Sequence, residues 1–211
     1  MNAQLITELH IKRYSAKKFT TEAISQENKE VILNSVNLAP TSYGIQPFKV
    51  LVIETQAIKD KISPIAFNQE PFKTAEFILV WCVEDNFEEL LSKYSSRIVL
   101  SKRSDQEIAD QFTSFIASQK EPTIARHGSL ETWYAKQAYI SLGFAMATCS
   151  VLQVDSCAME GFIPSALDEV LGLNELGLKS QVMLAIGVAD TSDNKTTPKV
   201  RKTLEEIFIK L

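Results

Sequence analysis

The chain is 211 residues long, 45% hydrophobic and 23% charged, the proportions of a single globular domain with one sizeable core. Its 22 Lys and Arg against 26 Asp and Glu leave a net charge of −4, and no basic stripe advertises a nucleic-acid or anionic-lipid partner. The polar opening MNAQLITELHIKRYS has no apolar leader. No stretch reaches the ~18 apolar residues of a membrane span, so a soluble, cytoplasmic chain is expected.

In chain order, residues 2–11 form a short amphipathic segment carrying Leu5, Ile6 and Leu9, followed by the basic run KRYSAKKF from Lys12 to Phe19. Ser25 reads as the cap of a helix that presents Val31, Ile32, Val36, Leu38 and Ala39 on one face and stops at Pro40. The polar hinge inside LAPTSYGIQPFKVLVI (Leu38 to Ile53) then leads into the strand KVLVIE (Lys49 to Glu54). That strand and FILVWCV (Phe77 to Val83) both read as buried on two faces. Between them lie a helical turn and the loop AFNQEPF.

Ser104 with Glu107 forms a capping box ahead of Ile108, Phe112, Phe115 and Ile116, which recur at helical spacing. From about Leu130 to Leu152 the sequence is apolar nearly all round, as in a central helix or one that covers a subunit interface. Strands are expected over Val154 to Met159 and Ser180 to Ala189, separated by a helix that Gly172 ends. Mixed helices and strands give an α+β or α/β sandwich in one domain, with a polar tail after Asp190 that is long enough to travel.

Cys82, Cys149 and Cys157 lie far apart in apolar surroundings, as reduced core thiols do. His10 and His127 lack a second His or Cys at ligand spacing, so no metal site is expected. No GxGxxG or G-x-S-x-G is present, which removes the Rossmann dehydrogenase and the serine hydrolase as leading readings. What stands out is a series of separated polar stations: Arg13-Tyr14-Ser15 with Lys17, Pro40-Thr41-Ser42 with Gln46, Asn68, Glu160-Gly161, and Lys199 with Arg201. Basic pairs at both ends of a net-acidic chain make sense if they converge on one phosphate.

The ordered series RYSAKKF, LAPTSYGIQPFKVLVI, FNQEPF, AMEGF and PKVRK resembles the FMN-dependent nitroreductase family, in particular its NAD(P)H nitroreductase and dihydropteridine reductase branch. The resemblance implies an α+β sandwich with a central, mostly antiparallel sheet flanked by helices. It also implies an intertwined homodimer whose C-terminal arm (190–211) crosses to the partner, with FMN bound at the interface and NADH or NADPH as electron donor. By the same resemblance Arg13, Tyr14, Ser15, Lys199 and Arg201 hold the FMN phosphate end, and Lys17 and Asn68 approach the ring edge. Met159, Glu160 and Gly161 meet the ring near the hydride-accepting nitrogen. Lys17 and Glu160 are thereby the residues tied most directly to catalysis.

Pro40, Thr41, Ser42, Gly44 and Gln46 correspond to the loop that closes over the partner's flavin. Gln137 falls either near the flavin or on an ordinary helix surface. Tyr43, Phe112 and Phe115 read as a wall selecting flat substrates, or as core. The family's second ring-edge lysine is missing: Pro71 occupies its place, with Lys73 two residues on. The implied activity is transfer of electrons from NAD(P)H through FMN to nitroaromatic, quinone or pteridine acceptors. Two alternatives share the fold or the cofactor: a flavin-binding sensor or carrier, and a dehalogenase or flavin-fragmenting enzyme.

Overall fold

The computed structural model describes residues 3–190 and 198–211. The first half of the chain forms α1 (Ala3–Lys12), α2 (Gln26–Leu38), β1 (Phe48–Ile53), α3 (Gln56–Ile62), α4 (Glu70–Thr74), β2 (Phe77–Glu84) and α5 (Phe87–Leu100). The second half forms α6 (Gln106–Ser118), α7 (Lys120–His127), α8 (Leu130–Leu152), β3 (Asp155–Met159), α9 (Pro164–Val170), β4 (Leu178–Gly187) and α10 (Leu204–Ile207). The strands make one antiparallel sheet in the order β1-β2-β4-β3.

The sheet separates two cores, and strand alternation decides which residue enters which. Phe77, Leu79, Trp81 and Val83 of β2, with Val182, Leu184 and Ile186 of β4, pack under α2, α5, α6 and α8. The intervening Ile78, Val80 and Cys82, with Met183 and Ala185, face α3, α4, α9 and the segment after α1. A buried relay ties the first core together: the Trp81 indole N–H donates to Ser141 Oγ at 3.1 Å, and Ser141 Oγ donates to the Val36 carbonyl at 3.1 Å. β2, α8 and α2 are thereby fixed in register.

Helix ends follow local chemistry. Ser25 Oγ accepts the Asn28 N–H at 3.2 Å, and Ala39 turns extended ahead of Pro40, whose ring disfavours a helical residue before it. Replacing Ser25 with alanine should cost about 1 kcal/mol, the usual worth of such a cap. A chemical denaturation midpoint that does not move would contradict the cap's role.

Four expectations are corrected. β1 lies at a sheet edge, so it is not buried on both faces: Lys49 is exposed and Val52 is 42% exposed. On α2 the buried positions are Ile32 and Val36, whereas Val31 and Leu38 face outward. The cap of α6 is Asp105 rather than Ser104, its carboxylate accepting the Ile108 N–H at 2.9 Å. The face expected on α6 is only partly buried: Ile116 enters the core, Ile108 and Phe115 are exposed.

The cysteines are free and buried, and burial pushes the Cys82 and Cys149 thiols up to about 12. No helix is long and apolar enough to cross a membrane, and among the described residues no cluster of His, Cys, Asp and Glu could hold a metal. Of the tail, residues 191–197 lie outside the described residues. In the part that is described, Val200, Leu204, Phe208 and Ile209 are all exposed.

Candidate functional site

After α1 the chain runs extended along the outer edge of β3. Ser15 bridges Ser156 in parallel, Ala16 N–H donates to the Ser156 carbonyl at 3.3 Å, and Thr20 N–H donates to Val188 at 2.8 Å. Ala16 and Phe19 are buried in the second core, with Tyr14 packed against it. Lys17 reaches Cys157, its ammonium 4.0 Å from the sulfur. Glu160 and Gly161 follow directly after β3, about 13 Å beyond Ser156 at the rise of a strand.

At the near end of this line a cavity of about 680 Å³ opens between α1, the end of α8 and the arm, lined by Arg13, Tyr14, Gln153, Asp155, Ser156 and Lys199, among others. The Lys199 ammonium donates to the carbonyls of His10 (3.2 Å) and Ile11, at the end of α1. Burial, then the like charges of Arg13 and Arg201, hold its pKa below the usual lysine value. The Asp155 carboxylate in the same cavity accepts the Ala189 N–H at 3.0 Å. Arg13 Nη1 is buried with no hydrogen-bond partner among the described residues. Two like charges acting on Lys199 and a buried donor without an acceptor suit a bound dianion.

At the far end, Asn68 and Phe67 both adopt positive φ (53° and 54°), and Ser63 Oγ donates to the Asn68 amide oxygen at 3.4 Å. Gln69 Nε2 donates to the carbonyls of Ala66 (3.0 Å) and Gly161 (2.6 Å). The Tyr139 hydroxyl of α8 donates to the Glu160 carboxylate. Met159 is buried beneath the turn. Lys73 pairs with Glu70 at 3.7 Å, and Pro71 is buried in α4.

The hinge forms a second group. Gly44 (φ 76°), Tyr43 (57°) and Gln46 (49°) all adopt positive φ. Of the six non-glycine residues with positive φ among the described residues, four (Tyr43, Gln46, Phe67 and Asn68) fall in the two stretches singled out from sequence, as strain gathered at functional loops does. Each hinge polar group is braced within the chain. Ser42 N–H donates to Gln137 Oε1 at 2.8 Å, Gln46 N–H to Thr41 Oγ1 at 3.0 Å, and Gln46 Nε2 to the Asn37 carbonyl at 2.8 Å. Tyr94 and Arg97 of α5 donate to the carbonyls of Tyr43 (2.6 Å) and Ile45 (3.2 Å). Pro40 is exposed ahead of this turn.

Gln137 is therefore buried and holds the hinge rather than forming ordinary helix surface. Tyr43 meets Phe115 and Trp133 edge-on at 6.2 and 6.3 Å, while Phe112 packs against Tyr94 and the core. Among the described residues no hydrogen bond or ring contact joins the hinge group to the Glu160 group. The reason lies in α8: Gln137 and Tyr139 are two positions apart, about 200° around the helix, so the groups lie on opposite sides of it.

Sequence reasoning missed Tyr139, Gln69, Tyr94, Arg97 and Trp133. Gln69 stood beside Asn68 in the quoted motif, but its partner Gly161 is 92 residues away. The others likewise find their partners across the fold, which no local spacing reveals.

The sequence profile of the Nitroreductase family matches residues 11–188. The major NAD(P)H-flavin oxidoreductase of Aliivibrio fischeri is 32% identical, the alignment covering 93% of this chain and 94% of that protein. A Staphylococcus aureus protein provisionally named an NAD(P)H nitroreductase is 29% identical over 99% of this chain and 96% of its own length. A provisionally assigned nitroreductase from Exiguobacterium sibiricum, solved in complex with FMN, superposes with a TM-score of 0.83 at 23% identity, covering 98% of this chain and 97% of that one.

Proposed function

The chain belongs to the nitroreductase family, and we propose that it is an FMN-dependent NAD(P)H oxidoreductase, a nitroreductase-like enzyme working by alternating half-reactions. The observation that carries this reading is the segment bearing Arg13, Ser15 and Lys17 along β3, with a buried guanidinium donor that has no partner among the described residues at one end and the Glu160–Gly161 turn at the other. Its length and its cationic end suit a phosphate followed by a sugar chain and a flat ring. The chemistry that FMN supplies in such a site is two-electron transfer, from reduced nicotinamide in one half-reaction to a nitroaromatic, quinone or pteridine in the next.

The chain's own residues supply placement and electrostatics. Arg13, Lys199 and Arg201 hold the phosphate, and Ser15 adds a hydroxyl beside them. Lys17 sets a fixed cation where negative charge accumulates on reduction. Asn68, held by Ser63, keeps its amide N–H groups for the ring edge.

The site is completed by a second copy of the chain. α8 leaves Tyr139, Ile140, Gly143, Phe144 and Val151 uncovered along one stripe, spaced as one helix face. Leu5 and Ile6 of α1 and the apolar arm residues are uncovered too. A homodimer paired through α8, with the apolar end of the arm beyond Arg201 laid on the partner, covers these surfaces. It also gives the hinge, on the far side of α8 from its own Glu160, a role at the partner's flavin.

The purified protein should be yellow or take up FMN, and should oxidise NADH or NADPH anaerobically with a nitroaromatic acceptor. A colourless protein that gains no flavin and consumes no nicotinamide would refute the reading, and a yellow protein that consumes none would be a carrier or sensor. Within an active enzyme, Lys17→Ala should slow flavin reduction about tenfold, a loss of roughly 1.4 kcal/mol of electrostatic stabilisation. Stopped-flow reduction at unchanged rate would remove Lys17 from the catalytic role.

A further inference from the structure

The Glu160–Gly161 turn is gripped from more directions than a turn following a strand requires. On the α8 side the Tyr139 hydroxyl donates to the Glu160 carboxylate, a charge-assisted bond of the strong kind. On the other side Gln69 donates one amide proton to the Gly161 carbonyl at 2.6 Å and the other to Ala66 at 3.0 Å, so both of its amide protons are committed. A Cβ at position 161 would lie 2.9 Å from Gln69 Nε2, so only glycine admits this approach without moving the amide. Phe162 N–H closes back onto the Glu160 carbonyl at 2.9 Å, and Ile163 N–H reaches Ile65 at 3.1 Å.

We propose that Tyr139 and Gln69 are positioning residues that clamp the Glu160–Gly161 turn from opposite sides, so that its backbone N–H groups meet the flavin ring in one fixed orientation. The inference rests on the reading that this turn adjoins FMN. α8 is the rigid reference: it holds the turn through Tyr139 and the hinge through Gln137. The anionic carboxylate is what makes the Tyr139 bond strong, so Glu160 contributes its side chain to the clamp and its peptide to the cofactor. Burial and the bond to Glu160 push the Tyr139 hydroxyl up to about 12, so it stays a donor throughout the range in which such an enzyme works.

The test is a double-mutant cycle between Tyr139→Phe and Glu160→Ala, with three readouts on each protein. Tyr139→Phe keeps the ring and removes only the donor. In the flavin-free protein it should speed amide exchange at residues 158–163 more than elsewhere in the chain, with only a small fall in the denaturation midpoint of the whole chain. In the FMN-loaded protein it should leave the FMN dissociation constant within about twofold and slow flavin reduction by NADH or NADPH about tenfold. The flavin midpoint potential should move to a more positive value, because a backbone donor held on an unprotonated ring nitrogen favours the oxidised form.

In the Glu160→Ala background, Tyr139→Phe should add nothing. An unchanged exchange pattern, an unchanged potential and rate, or an effect of full size without Glu160 would each overturn the clamp. Wild-type protein that takes up no FMN would overturn the site assignment itself and the clamp with it, whereas loaded wild type with an inert Tyr139→Phe condemns the clamp alone.

Discussion

Replacing Arg13 with alanine should raise the dissociation constant for FMN by between about tenfold and about a hundredfold, the worth of one or two charge-assisted bonds of ~1.5–3 kcal/mol at 1.4 kcal/mol per decade. The buried Nη1 donor is the reason: it has no partner among the described residues, and a phosphate oxygen satisfies it. Arg13→Lys should recover only part of the loss, because it restores the charge without the two-pronged fork. The flavin-free protein should respond in the opposite sense. Removing Arg13 takes away one of the like charges acting on Lys199, so the Lys199 pKa should rise toward its usual value. The lowered value means that its proton is held less tightly in the folded chain, and the stability lost through that term grows as pH falls through the ordinary lysine range. Fluorescence titration of FMN against both variants decides the matter, and equal affinities for wild type and Arg13→Ala would move the phosphate elsewhere.

Phe144→Asp should convert the proposed α8-paired dimer into a folded monomer that binds FMN poorly. Phe144 is 43% exposed within one chain, so the substitution spares the monomer's own core. At an α8–α8 contact it forfeits an aromatic burial and leaves a carboxylate against apolar surface, about 3 kcal/mol for each copy. A twofold interface counts the change twice, so the dimer should dissociate at least ~10⁴-fold more readily. Sedimentation velocity on wild type and variant measures this directly. A wild type that sediments as a monomer, or a variant that remains a dimer, would refute pairing through α8.

Much of the architecture was legible because it is written in local chemistry. α8 follows from the apolar stretch between Leu130 and Leu152, β2 from the unbroken apolar run FILVWCV, β4 from the apolar stretch VMLAI, and α2 from Ser25 and Pro40. The exposure of β1 was not legible, because edge position depends on strand order, and KVLVIE would read the same in the middle of a sheet. The cap of α6 falls on Asp105 instead of Ser104 because it is Asp105 that carries its oxygen to the Ile108 N–H, a matter of one residue's dihedrals. Of the cations singled out from sequence, Arg13 and Lys199 line one cavity. The supports of the site were not legible: Tyr94, Arg97, Tyr139 and Gln137 act on groups 21 to 95 residues away. Positive φ at Tyr43 and Gln46 is likewise imposed by these braces, since neither residue type asks for it.

The strip from Arg13 to Thr20 that lies along β3 is attached by few backbone bonds, those of Ala16, Thr20 and the Asp190–Lys18 pair prominent among them. It is also the strip that presents Arg13, Ser15 and Lys17. Ligand occupancy and protection of this sheet margin are therefore one equilibrium seen from two ends. Each tenfold excess of free FMN over its dissociation constant adds about 1.4 kcal/mol against detachment of the strip, provided that detachment abolishes binding. A cell poor in flavin would thus hold a population of chains with the β3 margin bare, open to pairing with other strands and to proteases. With the flavin held by this strip as proposed, the cofactor would be part of what keeps the sheet margin covered.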